Sequence, residues 1–148
     1  MEKRMLKRNS SVSTNYSAPS AEDCDSMTAA CVSELMNAAT SFHKLHLKVT
    51  GMGSFAAHKA LNELYDALPD HADDLAEGYQ GASEKLLDYS EIAPKTLSSV
   101  SEGISYIRDM VNMVSNLQSK MPYSEIVNEL DNVKSTLNSA KYKLNFLK

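Results

Sequence analysis

The sequence has few of the residues that break regular secondary structure. Its 148 residues include only five glycines and four prolines, while apolar residues make up 43% and charged residues 23% of the chain. This composition is typical of a globular protein and argues against a disordered chain. The length suits the core of one domain and is too short for two independent cores. We therefore expect one packed domain.

Long apolar runs are also absent. No stretch approaches the roughly 18 consecutive apolar residues of a membrane-spanning helix. The basic residues of segment 1–8 lead directly into the polar segment 9–20, without the apolar core of a secretory signal. The sequence therefore predicts a cytoplasmic protein without a membrane partner.

Cysteine is scarce, with Cys24 and Cys31 as the two cysteines of the chain. On one helix, a spacing of seven residues places them about 10 Å apart. Because this distance is too long for a disulfide within one chain, we expect both side chains to be reduced.

Charge is distributed unevenly along the chain. Residues 9–148 carry 11 basic and 18 acidic side chains, whereas four basic residues lie within the first eight positions, namely Lys3, Arg4, Lys7 and Arg8. Segment 9–21 is rich in serine and has no hydrophobic period, so we predict a flexible arm over residues 1–22 and a folded domain over 23–148. The arm either binds DNA phosphates without sequence preference or is a charged tail with no such role, since the acidic body repels a duplex.

Apolar residues recur at steps of three or four along most of the remaining chain, which predicts amphipathic helices. Four such stripes are present, at Met27–Val49, Ala57–Tyr79, Leu97–Leu117 and Ile126–Leu147. Ser54 is a candidate cap for the second helix, and Pro69 is expected to interrupt it. Nothing in the pattern resembles a strand.

The connection between the second and third helices is long. Segment 82–95 has room for one short helix, SEKLLDYS, before the break at Ala93 and Pro94. Four helices with one long connection match the ferritin-like topology. The predicted fold is an all-α, ferritin-like four-helix bundle with a short helix in the crossover.

The residues able to bind a metal are concentrated in the first two helices. All four histidines lie between residues 43 and 71, and two carboxylates spaced i,i+4 follow them: His43, His46, His58, His71, Asp73 and Glu77. A set of two imidazoles and two carboxylates suits iron, manganese or zinc.

Helix geometry restricts how these residues can meet. In a continuous helix His58 and Asp73 are about 22 Å apart, so they cannot bind the same metal ion. If both are ligands, the histidines of one subunit must meet the carboxylates of a twofold-related neighbour, which gives two identical sites per dimer. The alternative is a sharp break at Pro69 that lets His58, His71 and Asp73 approach within one chain.

The segment FHKLHLKVTGMGSFAAHKALNELYDALPDHADDLAEGYQG, residues 42–81, resembles the signature of Dps proteins, the small ferritins that form hollow shells and protect DNA. In that family a histidine near the end of the first helix is followed at fixed spacings by a second histidine, an aspartate and a glutamate. The matching positions are His46, His58, Asp73 and Glu77. His43, Gly51, Phe55 and the ELYD segment 63–66 also resemble the family pattern, and the remaining chain is similar only in the order and length of its helices.

This resemblance implies a ferroxidase centre made of His46 and His58 of one subunit and Asp73 and Glu77 of its partner. Ferrous iron is oxidised there by peroxide or oxygen, and a shell of twelve subunits stores the ferric mineral. The weaker candidates for metal contact are Asn62, His43 and His71.

Three positions depart from the family pattern. Asn62 replaces an acidic residue that often contacts metal, Leu47 replaces an oxidisable tryptophan, and Gly78 replaces an arginine. These departures motivate an alternative: a ferritin-like bundle with weakened or lost ferroxidase activity. Such a protein, for example one encoded by a phage, serves as a structural, assembly or DNA-binding protein.

Overall fold

The computed structural model describes residues 21–148, and the side chains from residue 23 onward. This range contains four α-helices and no strand: α1 (Ala21–His46), α2 (Ser54–Ser83), α3 (Val100–Lys120) and α4 (Ser124–Phe146). The predicted all-α four-helix architecture is confirmed. The predicted DNA contacts at Lys3, Arg4, Lys7 and Arg8 lie outside the described residues.

The start of α2 differs from the prediction that Ser54 caps it. Gly53 occupies the N-cap position in a left-handed conformation, and no side chain caps the helix. Gly51 also has a positive φ of 85°. Two left-handed residues so close together reverse the chain within residues 47–53, and glycine adopts this conformation without a steric penalty.

The prediction that Pro69 interrupts the second helix is wrong, because α2 continues through Pro69 for 30 residues. Pro69 has no N–H to donate to the carbonyl group of Tyr65, so one hydrogen bond of the helix is lost. The proline ring lies on the exposed face of α2, where it displaces no core side chain. A continuous α2 also excludes the alternative in which His58, His71 and Asp73 approach one another within one chain.

The predicted short helix in the crossover is also wrong, because residues 84–99 contain no helix. Leu86 is 89% exposed, so the segment buries too little apolar surface to stabilise a helix. Instead, side chains of α1 and of the turn after it donate hydrogen bonds to crossover carbonyl groups: Asn37 to Ile92 (2.6 Å), Ser41 to Lys95 (2.7 Å) and Lys48 to Leu97 (3.1 Å).

These three hydrogen bonds define the topology of the bundle. Later residues of the crossover bind later residues of α1 and its turn, so the crossover runs alongside α1 in the same direction. It therefore ends at the end of the bundle where α2 begins. Consequently α3 starts beside the start of α2 and runs parallel to it, while α1 is antiparallel to α2 and α3 is antiparallel to α4.

The centre of the bundle is apolar. Among the described residues, the buried polar side chains are Thr28, Ser33, Ser41 and His46, and no Asp, Glu, Lys or Arg is buried. Metal centres inside helical bundles use several inward-facing carboxylates. The described core has none, so the carboxylates that could bind a metal ion lie outside it. No helix in the described range is long and apolar enough to span a membrane.

Both cysteines are free and buried, as their spacing on one helix predicts. Burial raises the pKa of the Cys31 thiol to about 12. Because the thiolate is the reactive form, Cys31 is an inert part of the core.

A polar cluster links α1 to the C-terminal end of α2. The Tyr79 hydroxyl donates to Asp25 Oδ1 at 2.6 Å, and Lys85 Nζ donates to Asp25 Oδ2 at 3.1 Å. The hydrogen bond from Tyr79 is the largest cause of a lowered pKa for Asp25, and Lys85 lowers it further. The ionised carboxylate is therefore favoured in the folded protein.

Tyr79→Phe is expected to lower the free energy of unfolding by about 1 to 2 kcal/mol at pH 7, because a hydrogen bond to a charged group is lost. A carboxyl group with a lowered pKa stabilises the fold above its unfolded pKa, and this stability is lost as the pH falls through the folded pKa. The difference between variant and parent should therefore shrink below about pH 4. Urea unfolding followed by circular dichroism measures it, with the exposed Tyr142→Phe as the matched control. An equal difference at pH 7 and pH 3 would contradict the assignment.

Pro69→Ala is expected to stabilise the protein by about 1 to 2 kcal/mol, because it restores the missing helical hydrogen bond. The gain is partly offset because alanine gives the unfolded chain more conformational entropy than proline does. Thermal or urea unfolding measures the change. Asp70→Ala, at a neighbouring exposed position, should change stability by less than about 0.5 kcal/mol. A loss of stability in Pro69→Ala would show that the proline relieves strain in α2.

Candidate metal site

The turn between α1 and α2 brings two histidines into contact. His46 is the last residue of α1, and His58 lies one turn into α2. Their rings stack with centroids 3.6 Å apart and an interplanar angle of 24°. The two histidines that the resemblance to Dps proteins assigns to one subunit are therefore in contact in the folded chain.

Two reciprocal hydrogen bonds orient this histidine pair. Nδ1 of His46 lies 3.0 Å from the carbonyl oxygen of His58, and Nδ1 of His58 lies 3.1 Å from the carbonyl oxygen of His46. A carbonyl oxygen only accepts, so each neutral ring must carry its proton on Nδ1. Each Nε2 then keeps a free lone pair, which is the form in which imidazole binds a metal ion.

Two more aromatic side chains pack beside the pair. The ring of Tyr65 stacks on His43 at 4.0 Å and 12°, and meets the ring of His46 edge-on at 5.1 Å. The sequence pattern indicates no role for Tyr65 beyond its place in the ELYD segment, although it lies seven residues, about two helical turns, after His58. Leu47, at the position where the Dps pattern often has tryptophan, is 72% exposed. The oxidisable aromatic ring that contacts His46 belongs to Tyr65.

The structure keeps the carboxylates apart from the histidine pair. Asp73 and Glu77 are exposed on α2, one turn from each other, and Asp73 is about 22 Å along the same continuous helix from His58. In residues 21–148 no group of three or more His, Cys, Asp or Glu side chains is placed to bind a metal ion. Within one chain, the histidine pair and the two carboxylates therefore lie at separate places.

The weaker candidates have other partners. Asn62 donates from Nδ2 to Asp66 Oδ2 at 2.6 Å, and His71 Nε2 lies 2.8 Å from the Thr136 hydroxyl of α4.

Gly78, which departs from the family pattern, packs closely against α4. A Cβ atom on Gly78 would lie 2.9 Å from Ile126 Cδ1. A larger residue at this position would require the Ile126 side chain to shift.

The described fold and site define an all-α four-helix bundle protein with a stacked histidine pair at its first turn. The sequence matches a family of unknown function, DUF5856, over residues 46–144, about two thirds of the chain. The chain belongs to this family. The matched region begins at His46 and includes His58, Asp73 and Glu77. A search of the curated proteins found no match.

The hydrogen bonds predict the tautomers of the two rings. In metal-free protein in alkaline buffer, ¹⁵N spectra of the imidazole rings should show both His46 and His58 protonated at Nδ1, because each Nδ1 faces a carbonyl oxygen. His43 is the internal reference, since its ring nitrogens form no hydrogen bond with the described residues. Protonation at Nε2 in either ring of the pair would contradict the arrangement.

Proposed function

We propose that this chain is a ferritin-like protein of the Dps type that binds ferrous iron as its substrate and oxidises it at a site shared by two subunits. The observation that carries the proposal is the stacked pair of His46 and His58, whose reciprocal hydrogen bonds leave both Nε2 atoms free to bind metal. Metal-binding histidines commonly donate the other ring proton to a carbonyl group, and both rings of this pair face a carbonyl oxygen in that way.

The donor set suits iron. Two imidazole nitrogens and two carboxylates together fit Fe(II) and also manganese or zinc. Asp73 and Glu77 are exposed and lie on one face of α2, so a second chain can approach both carboxylates at once. Neither the histidine pair nor the carboxylate pair contains enough ligands alone, and the continuous α2 keeps them apart within one chain.

A second subunit related by a twofold axis supplies the ligands that the first subunit lacks at each site. The midpoint between His58 and Asp73 along α2 falls at Tyr65 and Asp66, so two α2 helices crossing antiparallel there bring each histidine pair to the partner's carboxylates. Lys59 lies on the same face as Asp73, at the opposite end of this stretch. In the antiparallel crossing, Lys59 of each subunit therefore lies near the part of the other subunit's α2 that contains Asp73 and Glu77, which is a favourable pairing of opposite charges.

The chemistry at such a site is electron transfer from iron to peroxide. Two ferrous ions each transfer one electron to hydrogen peroxide, and its O–O bond breaks. The two oxygen atoms take up two protons from solution and leave as two water molecules. Imidazole and carboxylate ligands hold the iron in place, and the anionic carboxylates stabilise the ferric product. The ferric ions are then stored as mineral inside a hollow shell of twelve subunits.

Mixing two inactive variants tests the shared site. His46→Ala and Asp73→Ala homodimers should each lose Fe(II) oxidation, because every site lacks one ligand. In a heterodimer of the two, one site carries both substitutions and the other carries neither. Random co-assembly should therefore restore about one quarter of the parent's sites. Stopped-flow ferric absorbance after anaerobic Fe(II) loading and peroxide addition measures the recovery, and native mass spectrometry measures the assembly.

Two matched variants control this experiment. His71→Ala removes a histidine already bonded to Thr136, and Asp74→Ala removes an exposed carboxylate next to Asp73. Both should oxidise iron at near the parent rate. Active single variants, or a mixture that stays inactive although heterodimers form, would refute the shared site.

One observation favours a second candidate, a bundle that assembles without oxidising iron. Asn62 stands where Dps proteins often have an acidic ligand, and its amide is bonded to Asp66. A neutral amide is a weaker ligand for a second iron ion than a carboxylate. A parent protein that forms the oligomer but shows no oxidation above background would support this candidate.

A further inference from the structure

A cavity of about 630 Å³ lies at the end of the bundle where α2 and α3 begin. Its walls come from the end of α1, the following turn, the first residues of α2 and α3, and the end of α4. The site proposed above uses the histidine and carboxylate side chains, none of which lines this cavity.

The charge of the cavity is opposite to that of the protein body. Three basic side chains line it, Lys48, Arg108 and Lys148, and no acidic side chain does. Residues 9–148 as a whole carry 18 acidic and 11 basic residues, so this concentration of positive charge differs from its surroundings. Cations that face a common space repel one another, and a bound anion offsets that repulsion.

Two of these cations are well placed to act on a ligand. Lys48 Nζ donates to the carbonyl oxygen of Leu97 at 3.1 Å, which holds the ammonium group at the cavity wall with donors to spare. Arg108 is exposed and forms no hydrogen bond or ion pair with the described residues. Its guanidinium group is therefore available for two parallel hydrogen bonds to one anion.

Neutral donors surround the cations. The hydroxyl-bearing lining residues are Thr50, Ser54, Ser98, Ser99 and Ser101. The N-terminus of α2 also opens here, with no side-chain cap and no acidic residue in its first turn. By contrast, Ser99 and Glu102 already cap α3. The uncapped amide groups of α2 add partial positive charge to the same cavity.

We infer that this cavity binds the phosphoryl group of a small phosphate monoester. A dianion with three terminal oxygens matches three cations and several hydroxyl donors better than a carboxylate does. The apolar part of the lining, which includes Leu45, Val49 and Ile104, accommodates an organic group attached to the phosphate. Inorganic phosphate shares the phosphoryl chemistry and lacks the apolar contact.

Binding of two probes to the 148-residue chain tests the inference at low ionic strength, where charge attraction is least screened. Phenyl phosphate and inorganic phosphate are titrated separately, and amide NMR shifts of Gly53, Ser54 and Phe55 are followed. Phenyl phosphate should give saturable shifts at these residues and bind more tightly than inorganic phosphate. Arg108→Gln should weaken its binding by roughly tenfold, as expected for loss of a charge-assisted contact.

Lys120→Gln is the matched control, because it removes one positive charge from the exposed end of α3, away from the cavity lining. It should bind phenyl phosphate within about twofold of the parent. Equal affinities in Arg108→Gln and the parent, equal weakening in both variants, or shifts that do not saturate would each overturn the inference. Tighter binding of inorganic phosphate would overturn the monoester as ligand. Loss of iron oxidation has no bearing on any of these outcomes.

Discussion

The reciprocal contact between His46 and His58 ties together the two helices on which the rest of the structure depends. Each ring donates to the backbone of the other residue, so the end of α1 is held to the first turn of α2. Gly51 and Gly53 make this possible by reversing the chain within seven residues. The same contact places two imidazole rings together and fixes the tautomer in which each can bind a metal ion.

The apolar interior determines where chemistry can occur in this molecule. Leucine, valine and alanine side chains fill the space between the helices, and the described core contains no carboxylate. Burying an unpaired carboxylate among such side chains would be costly, so acidic residues remain on the outer faces. Because the continuous α2 keeps Asp73 about 22 Å from His58, a site with both kinds of ligand would need a second subunit, as proposed above.

The crossover shows how a connection can be fixed without secondary structure of its own. The side chains of Asn37, Ser41 and Lys48 bind its carbonyl groups in sequence, so its backbone polar groups find partners in α1 and the turn that follows. Its path brings the start of α3 beside the start of α2, and this creates the basic cavity at that end of the bundle. The end with the histidine turn therefore also carries the concentrated positive charge.

The number, order and approximate limits of the four helices can be predicted from the amino-acid pattern, because a stripe of apolar residues at steps of three or four is a local property. The separation of His58 from Asp73 follows from spacing along one helix, whereas the pairing of His46 with His58 is implied only by the resemblance to Dps proteins. Tertiary structure decided the rest. The conformation of the crossover depends on donors from α1, the continuity of α2 at Pro69 depends on packing that offsets a lost hydrogen bond, and the stacking of Tyr65 on His43 depends on how α1 and α2 meet. Each of these involves groups brought together by packing between elements, which local periodicity does not encode.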